Sequence, residues 1–272
     1  MSITIQQYSC SSPSKHESED ALFLNHETQM YGVMDGSTPL IPFTDENGHN
    51  GAYLASHLFK NYFEQLMKED GVSLFSAVVD ANERLRNEME KQKVDIEQKH
   101  HLWCTCIAAI QIHETFVEFV QLGDCMAVAG YQDGSVEVLT KDTVKNISFR
   151  AKEKRNRDRE NGMDVPNEEI FKDIRNDLHY NRSMANTREG YTVANGMPEV
   201  KNFIQHGKIE LSRLSSLLLV TDGLFFPGQA LDVSFRYIQE NGLESYAKEL
   251  KKIQEEKGGK IDDKAGLFLV FK

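Results

Sequence analysis

Two periods of apolar and polar positions run along this chain, and the change from one to the other divides it. Residues 3 to 8, 21 to 25 and 30 to 34 are short runs rich in apolar and β-branched side chains, separated by Ser, Pro and polar clusters, which predicts three early strands. From Gly51 the period becomes helical: Leu54, Leu58, Tyr62 and Leu66, flanked by Ala55, Phe59 and Phe63, make one broad apolar face. Gly71 interrupts it. Leu74, Val78, Ala81, Leu85 and Met89 then stripe a second helix, and both stripes read as core-packing faces.

Residues 102 to 139 predict closely spaced strands, CIAAIQI, FVEFVQL, MAVAGY and SVEVL, the last following the turn Gln132-Asp133-Gly134. Short links imply antiparallel pairing. Apolar residues on both faces of CIAAIQI imply a strand covered on both sides, as in stacked sheets with helices outside. From about 141 to 190 the composition turns to dense mixed charge, with RAKEKRNRDRE and NEEIFKDIRNDL, which predicts an inserted helical flap. Arg150, Lys152, Lys154, Arg155, Arg157 and Arg159 alternate with acids there and read as a solvated helix. Core character returns with LLLV at 217 to 220, two helical segments across 231 to 256, a Gly258-Gly259 break and the final apolar strand GLFLVF. A single domain over residues 1–272, with the flap as an insertion, accommodates a chain of this length.

Charge narrows the partners. With 42 Asp+Glu against 31 Lys+Arg the formal net charge is -11, which disfavours a nucleic-acid backbone. No run approaches the roughly 18 apolar residues of a membrane span, and MSITIQQYSCSSPSK has no charged segment leading into an apolar stretch. The expectation is a cytoplasmic protein with neither nucleic acid nor membrane as partner. All four cysteines are expected to be reduced. Cys104 and Cys106 share a face of a predicted strand, and without a second ligand pair they read as buried thiols rather than a soft-metal site.

The candidate chemistry lies at strand ends. The apolar run YGVM leads into Asp35-Gly36, and LLLV leads through Thr221 into Asp222-Gly223; Gly123-Asp124 links two predicted strands, and Asp262-Asp263 precedes the last one. In each Asp-Gly a buried strand delivers a carboxylate, and the glycine permits close backbone approach to whatever that carboxylate holds. Carboxylates gathered at one end of a sandwich repel unless protonated or neutralised. Oxygen ligands without paired His or Cys select a hard cation, Mg²⁺ or Mn²⁺. Two such ions about 3.5–4 Å apart can share and acidify a water and clamp a phosphoryl oxygen. Asp-Gly is also a common turn dipeptide, and Asp133-Gly134 is read that way. Spacing alone does not bring Asp35, Asp124, Asp222 and Asp262 together.

Taken in order, Glu19-Asp20-Ala21, GVMDG, the stretch from Thr105 to Asp124, LLLVTDG and IDDKAGLFLV resemble the motifs of the type 2C (PPM) metal-dependent serine/threonine protein phosphatases over nearly the whole chain. The resemblance implies a four-layer α-β-β-α sandwich of two antiparallel sheets flanked by helices, an α/β protein of the α+β type. It also implies two Mg²⁺ or Mn²⁺ ions at one edge. By position, Asp35 would bridge both ions, the Gly36 carbonyl would bind one, and Asp222 and Asp262 the other, with Asp262 preferred over Asp263; Asp20 and Glu19 would contact metal-bound waters. The implied reaction is attack of a metal-bridging hydroxide on a phosphoserine or phosphothreonine monoester of a protein or peptide, with no covalent phosphoenzyme.

Three positions depart from the family pattern. Lys15 stands where many members place a phosphate-binding Arg and is the expected substrate contact, without the bidentate fork. Ser37 replaces a His after the first Asp-Gly, and Phe226 replaces an Asp that would join Asp124 at a third metal, so the third ion is expected to be absent or weak. His49, in the polar segment from Ser37 to Gly51, reads as a solvated loop histidine, and His100-His101 as exposed near a strand start. Because of these departures a catalytically weak or inactive binding module is the alternative reading, and a small-molecule phosphatase would share all the chemistry.

Overall fold

The computed structural model describes residues 2–258 and 261–272. Ten strands form two antiparallel sheets. One carries β1 (Ile3–Cys10), β10 (Lys264–Phe271), β9 (Leu214–Val220), β6 (Met126–Tyr131) and β7 (Val136–Val138) in that spatial order; the other carries β2 (Asp20–Asn25), β3 (Met30–Ser37), β4 (Cys104–Ile112), β5 (Phe116–Leu122) and β8 (Gln205–Glu210). Helices α1 (Gly51–Gln65) and α2 (Leu74–Lys91) cover the second sheet, and α5 (Leu231–Asn241) and α6 (Leu243–Glu256) cover the first. This is the expected α-β-β-α sandwich.

Three apolar layers hold it together, and strand alternation assigns each residue to a layer. Leu217 and Leu219 of β9 face the middle layer with Val33, Ala108, Ile110, Leu267 and Leu269. Leu218 and Val220 face outward onto Phe235, Ile238, Tyr246 and Leu250. That division explains the continuous apolar run: both faces of the strand are covered. On the other side Phe59, Phe63, Val78 and Leu85 pack against Phe23, Met34, Ile107 and Val120. Asn50 starts α1 at the expected place, its side chain accepting from the N–H groups of Ala52 and Tyr53.

The strands extend farther than their apolar runs. β3 continues through Asp35 and Gly36 to Ser37, and β2 begins at Asp20, so the two strands bring Asp20 and Asp35 into register as direct partners. Strand β8 was not predicted, because QHGKIE buries only Ile209 and exists through its pairing with β5. Gly258 has φ +62 and ends the helical segment, whereas Gly259 of the predicted break lies outside the described residues.

Between 141 and 190 lie α3 (Ile147–Glu160) and α4 (Ile174–Ser183). Their charge is not all solvated. Arg155 is 2% exposed. Its Nε and Nη2 donate to Glu168 at 2.8 and 3.1 Å, its Nη1 to Asp177 at 3.3 Å, and its guanidinium lies over Phe171 (4.0 Å) and Tyr180 (4.8 Å). Hydrogen bonds from Arg155 lower the Glu168 pKa to about 2. The helix pair is therefore organised on a buried cation satisfied by a fork and two rings. Arg155→Ala removes the fork and both ring contacts that join the helix pair, leaving Glu168 held, among the described residues, only by Arg159, whose Nη2 donates to its Oε1 at 2.7 Å. We expect limited proteolysis to cut between residues 141 and 190 in this variant while the sheets stay protected; an unchanged cleavage pattern would contradict this role.

Candidate metal centre

The ends of both sheets converge on a group of acids. The β2–β3 register sets Asp20 opposite Asp35, and the β3–β4 register sets Asp35 opposite Cys106. Asp124 enters from the link between β5 and β6, the point where the chain passes from one sheet to the other. Asp222 follows β9, where Thr221 anchors the turn, its Oγ1 accepting from the Ala265 N–H at 2.9 Å. One carboxylate oxygen from each of Asp35, Asp124 and Asp222 lies within 4.8 Å of the other two.

Glycine is required beside two of these acids. A Cβ on Gly223 would stand 1.8 Å from the Asp263 carbonyl oxygen, and one on Gly36 would stand 2.3 Å from the Ala52 carbonyl oxygen. Both Asp-Gly pairs thus press backbone against backbone, which only glycine permits. The Gly36 N–H donates to the Glu19 carbonyl at 3.2 Å, tying β3 to the segment that carries the Glu19-Asp20 pair.

A second layer of bonds fixes Glu19. Lys15 Nζ donates to Glu19 Oε2 at 2.6 Å and to Asp263 Oδ2 at 2.7 Å, and Asn50 Nδ2 donates to Glu19 Oε1 at 2.6 Å. Asp263, 2% exposed, also accepts from the Ser12 N–H at 2.7 Å and the Glu19 N–H at 2.9 Å. Burial lowers the Lys15 pKa, but the hydrogen bonds to Asp263 and Glu19 outweigh it, and the net shift is upward. Asp263 is thus a structural anchor. Asp262 is half-buried, and its Oδ1 accepts from the Asp263 N–H at 3.2 Å.

The electrostatics of the cluster are those of crowded, desolvated carboxyls. Burial, with the charges of Asp222 and Asp263 adding to it, raises the Asp20 pKa to about 8. Burial and the charge of Asp222 raise Asp124 to about 7. Asp35 is pushed well above the usual carboxylate range by burial and by the charges of Asp20, Asp222 and Asp124. Asp20 Oδ2 and Asp124 Oδ1 are buried with no hydrogen-bond partner. Oxygen donors alone, mutual repulsion and orphaned buried carboxylate atoms fit a hard divalent cation.

Residues 14–258 match the family described as Protein phosphatase 2C. The chain belongs to that family. It is by membership a metal-dependent serine/threonine phosphatase, a hydrolase. No curated protein matches it in sequence. Among solved structures it is similar to the Mycobacterium tuberculosis serine/threonine phosphatase PstP/Ppp, at 19% identity over 99% of this chain and 99% of that one, with a TM-score of 0.64. It is also similar to the Staphylococcus aureus serine/threonine phosphatase Stp1, at 17% identity over 100% and 96%, TM-score 0.62. A third is the catalytic domain of PstP in complex with two manganese ions, at 17% identity over 98% and 97%, TM-score 0.60.

Asp35 and Asp222, two of the expected ligands of this phosphatase, lie together in the structure. The expected set was Asp35, Asp222 and Asp262; the mutually close set among the described residues is Asp35, Asp222 and Asp124. The sequence expectation gives Asp124 to a weak third site, because Phe226 stands where the family pattern has its partner Asp, and spacing alone does not place the β5–β6 link against the ends of β3 and β9. Phe226 is half-buried and packs into the outer apolar layer beneath α5 and α6. His49 is not a free loop histidine: its ring contacts Glu17 (2.9 Å) and Asp45 (3.2 Å) and stacks on Tyr53, which stacks on His57. Ser37 ends β3, and the next carbonyl, that of Thr38, accepts from Arg182 Nη2 of α4 at 3.2 Å, so the flap reaches the lip of the acid cluster. Asn50 was missed as a site residue, although a helix-starting Asn directly before the apolar stripe was a visible signal.

Proposed function

We propose that this chain hydrolyses phosphoserine and phosphothreonine monoesters in proteins or peptides at a two-ion Mg²⁺ or Mn²⁺ centre. The observation that carries the reading is the convergence of the Asp35, Asp124 and Asp222 carboxylates to within 4.8 Å. In this reading Asp35 and Asp222 are principal ligands, with Asp124, the Gly36 carbonyl and Asp262 at the edges of the centre. Asp20 and Glu19 hold its water shell. Bound ions of this kind supply a water acidic enough to attack phosphorus at neutral pH and positive charge opposite the phosphoryl oxygens. The two manganese ions carried by the PstP catalytic domain support that stoichiometry. The net charge of -11 disfavours a nucleic-acid backbone, and the resemblance in sequence supports a phosphorylated protein or peptide, here taken to be cytoplasmic, as substrate.

Residues of the chain orient this centre. Glu19 is held at both carboxylate oxygens, by Lys15 and by Asn50, so its position is set before any ion arrives. Lys15 uses two of its three N–H donors on Glu19 and Asp263 and is 25% exposed, which leaves one donor for a substrate phosphoryl oxygen.

The test is hydrolysis of an aryl phosphate and then of phosphoserine and phosphothreonine peptides by the full chain with Mn²⁺. Turnover that rises with Mn²⁺ supports the reading, and a folded protein without turnover on any of these substrates overturns it. Lys15→Ala is expected to raise KM for phosphopeptides about tenfold, the loss of one charged hydrogen bond, with a smaller effect on Mn²⁺ affinity. Unaltered kinetics would remove Lys15 from the substrate site.

A further inference from the structure

Asp124 reaches the acid cluster with its Oδ1 buried and without a hydrogen-bond partner, so no bond to that oxygen sets where it points. Its direction is set from the backbone behind it. Gly123, with φ +84, turns the chain out of β5 so close to Cys106 that a Cβ would collide with Sγ. The Gly123 carbonyl accepts from Gln121 Nε2 at 2.6 Å, from the Thr143 N–H at 3.0 Å and from Thr143 Oγ1 at 3.1 Å. The Gly123 N–H donates to Thr192 Oγ1 at 2.9 Å, and the two threonine hydroxyl oxygens are 3.0 Å apart. With the Thr143 hydroxyl proton on the Gly123 carbonyl, the Thr192 hydroxyl is the donor between them. The bonds then close a ring, from the Gly123 N–H through Thr192 and Thr143 back to the Gly123 carbonyl.

Both threonines stand at the ends of the flap, Thr143 before α3 and Thr192 after α4. The Thr192 N–H donates to Thr143 Oγ1 at 3.1 Å, which joins the two ends directly. Arg150 of α3 adds bonds to the carbonyls of Thr143 and Gly190. Gly123 lies between β5 and β6, where neither strand ladder engages its N–H or C=O, so these side chains satisfy both groups. Thr192 is buried and Thr143 half-buried, and a hydrogen-bonded ring shielded from water polarises and strengthens its members.

We infer that Thr143 and Thr192 are positioning residues for the metal centre: they hold the Gly123 peptide and through it aim the Asp124 carboxylate at the space beside Asp35 and Asp222. The inference rests on the reading of that cluster as the metal centre. The sheets bring the β5–β6 link to this edge, and the two ends of the flap fix its last residue before the ligand.

The test is calorimetric titration of the full chain with Mn²⁺, which does not depend on turnover, with Asp124→Ala as the reference that weakens the binding step Asp124 serves. Thr192→Val keeps the shape of the side chain and removes its hydroxyl. It should weaken the same step at least about tenfold, as for loss of a partner behind a metal ligand. Thr143→Val opens the ring at its other corner and should do the same, while Thr192→Ser, which keeps the hydroxyl, should bind as the parent does. Circular dichroism melts in chelator establish that each variant is folded. Combined with Asp124→Ala, Thr192→Val should cause no further loss, because its effect passes through Asp124. Parent-like Mn²⁺ binding in both valine variants, or a Thr192→Val loss that persists undiminished beside Asp124→Ala, overturns the positioning role. Parent-like binding in Asp124→Ala itself overturns instead the placing of Asp124 in the metal centre, and the inference with it.

Discussion

Asp35→Ala is expected to lower manganese-dependent phosphomonoester hydrolysis by at least about 10³-fold, at or beyond the loss seen on removing one oxyanion donor from an active site. The Asp35 carboxylate is the one that senses Asp20, Asp124 and Asp222 together, so its loss opens the middle of the cluster. The fold does not depend on that side chain. The Asp35 carbonyl accepts from Thr105 Oγ1 at 3.0 Å, and the strand pairs on both sides through its backbone. Removing a crowded carboxyl also relieves repulsion, so in chelator the variant should melt at or above the parent temperature. Asp222→Ala, on the exposed side of the trio, should lose activity similarly. The measurements are kcat/KM on an aryl phosphate across Mn²⁺ concentrations and circular dichroism melts in chelator. More than a tenth of parental activity in Asp35→Ala would remove it from the centre.

The second large effect is a stabilisation by Mn²⁺ that grows with pH. In the metal-free fold Asp20 and Asp124 hold their protons up to about 8 and about 7, whereas in the unfolded chain they release them at the ordinary carboxylate value of 3.8. Between those limits the folded state binds more protons than the unfolded state. Its stability therefore falls as pH rises through the window from about 4 to about 8. A cation that replaces the protons removes this loss, and it binds better where it need not displace them. At a hundredfold excess over Kd the gain is about 2.7 kcal/mol, or about 5 °C in Tm for a chain of this size. Melts with and without Mn²⁺ should show that gain near pH 8 and a much smaller one near pH 5.5. Equal gains at both pH values would contradict the assignment of the cluster as the binding site.

Local pattern was enough for most of the frame. The α1 stripe, the doubly covered LLLV and CIAAIQI strands, and the Asp-Gly pairs after YGVM and LLLV are features of a few neighbouring residues, and all stand where the pattern put them. Arg155 was misread because a charge in a mixed-charge run is normally solvated. Its burial depends on Glu168, Phe171, Asp177 and Tyr180, which lie on other turns of chain. Strand β8 was invisible because its pairing partner, not its own sequence, makes it a strand.

The amino-acid sequence by itself determined most of the helices and strands, that carboxylates stand near the ends of several of them, and that their donors suit a hard cation, because periodicity, turn chemistry and donor type are local properties. The tertiary structure alone decided which carboxylates meet. Asp20 faces Asp35 only through the β2–β3 register, and Asp124 comes to Asp35 and Asp222 because the β5–β6 link crosses between the sheets at that edge. Asp263 is an anchor only because Ser12, Lys15 and Glu19, some 250 residues away in sequence, bring their N–H donors to its carboxylate, that of Ser12 from 251 residues away at 2.7 Å. A one-residue slip in any of these strand pairs would turn the acids to opposite faces, and no local pattern encodes that register.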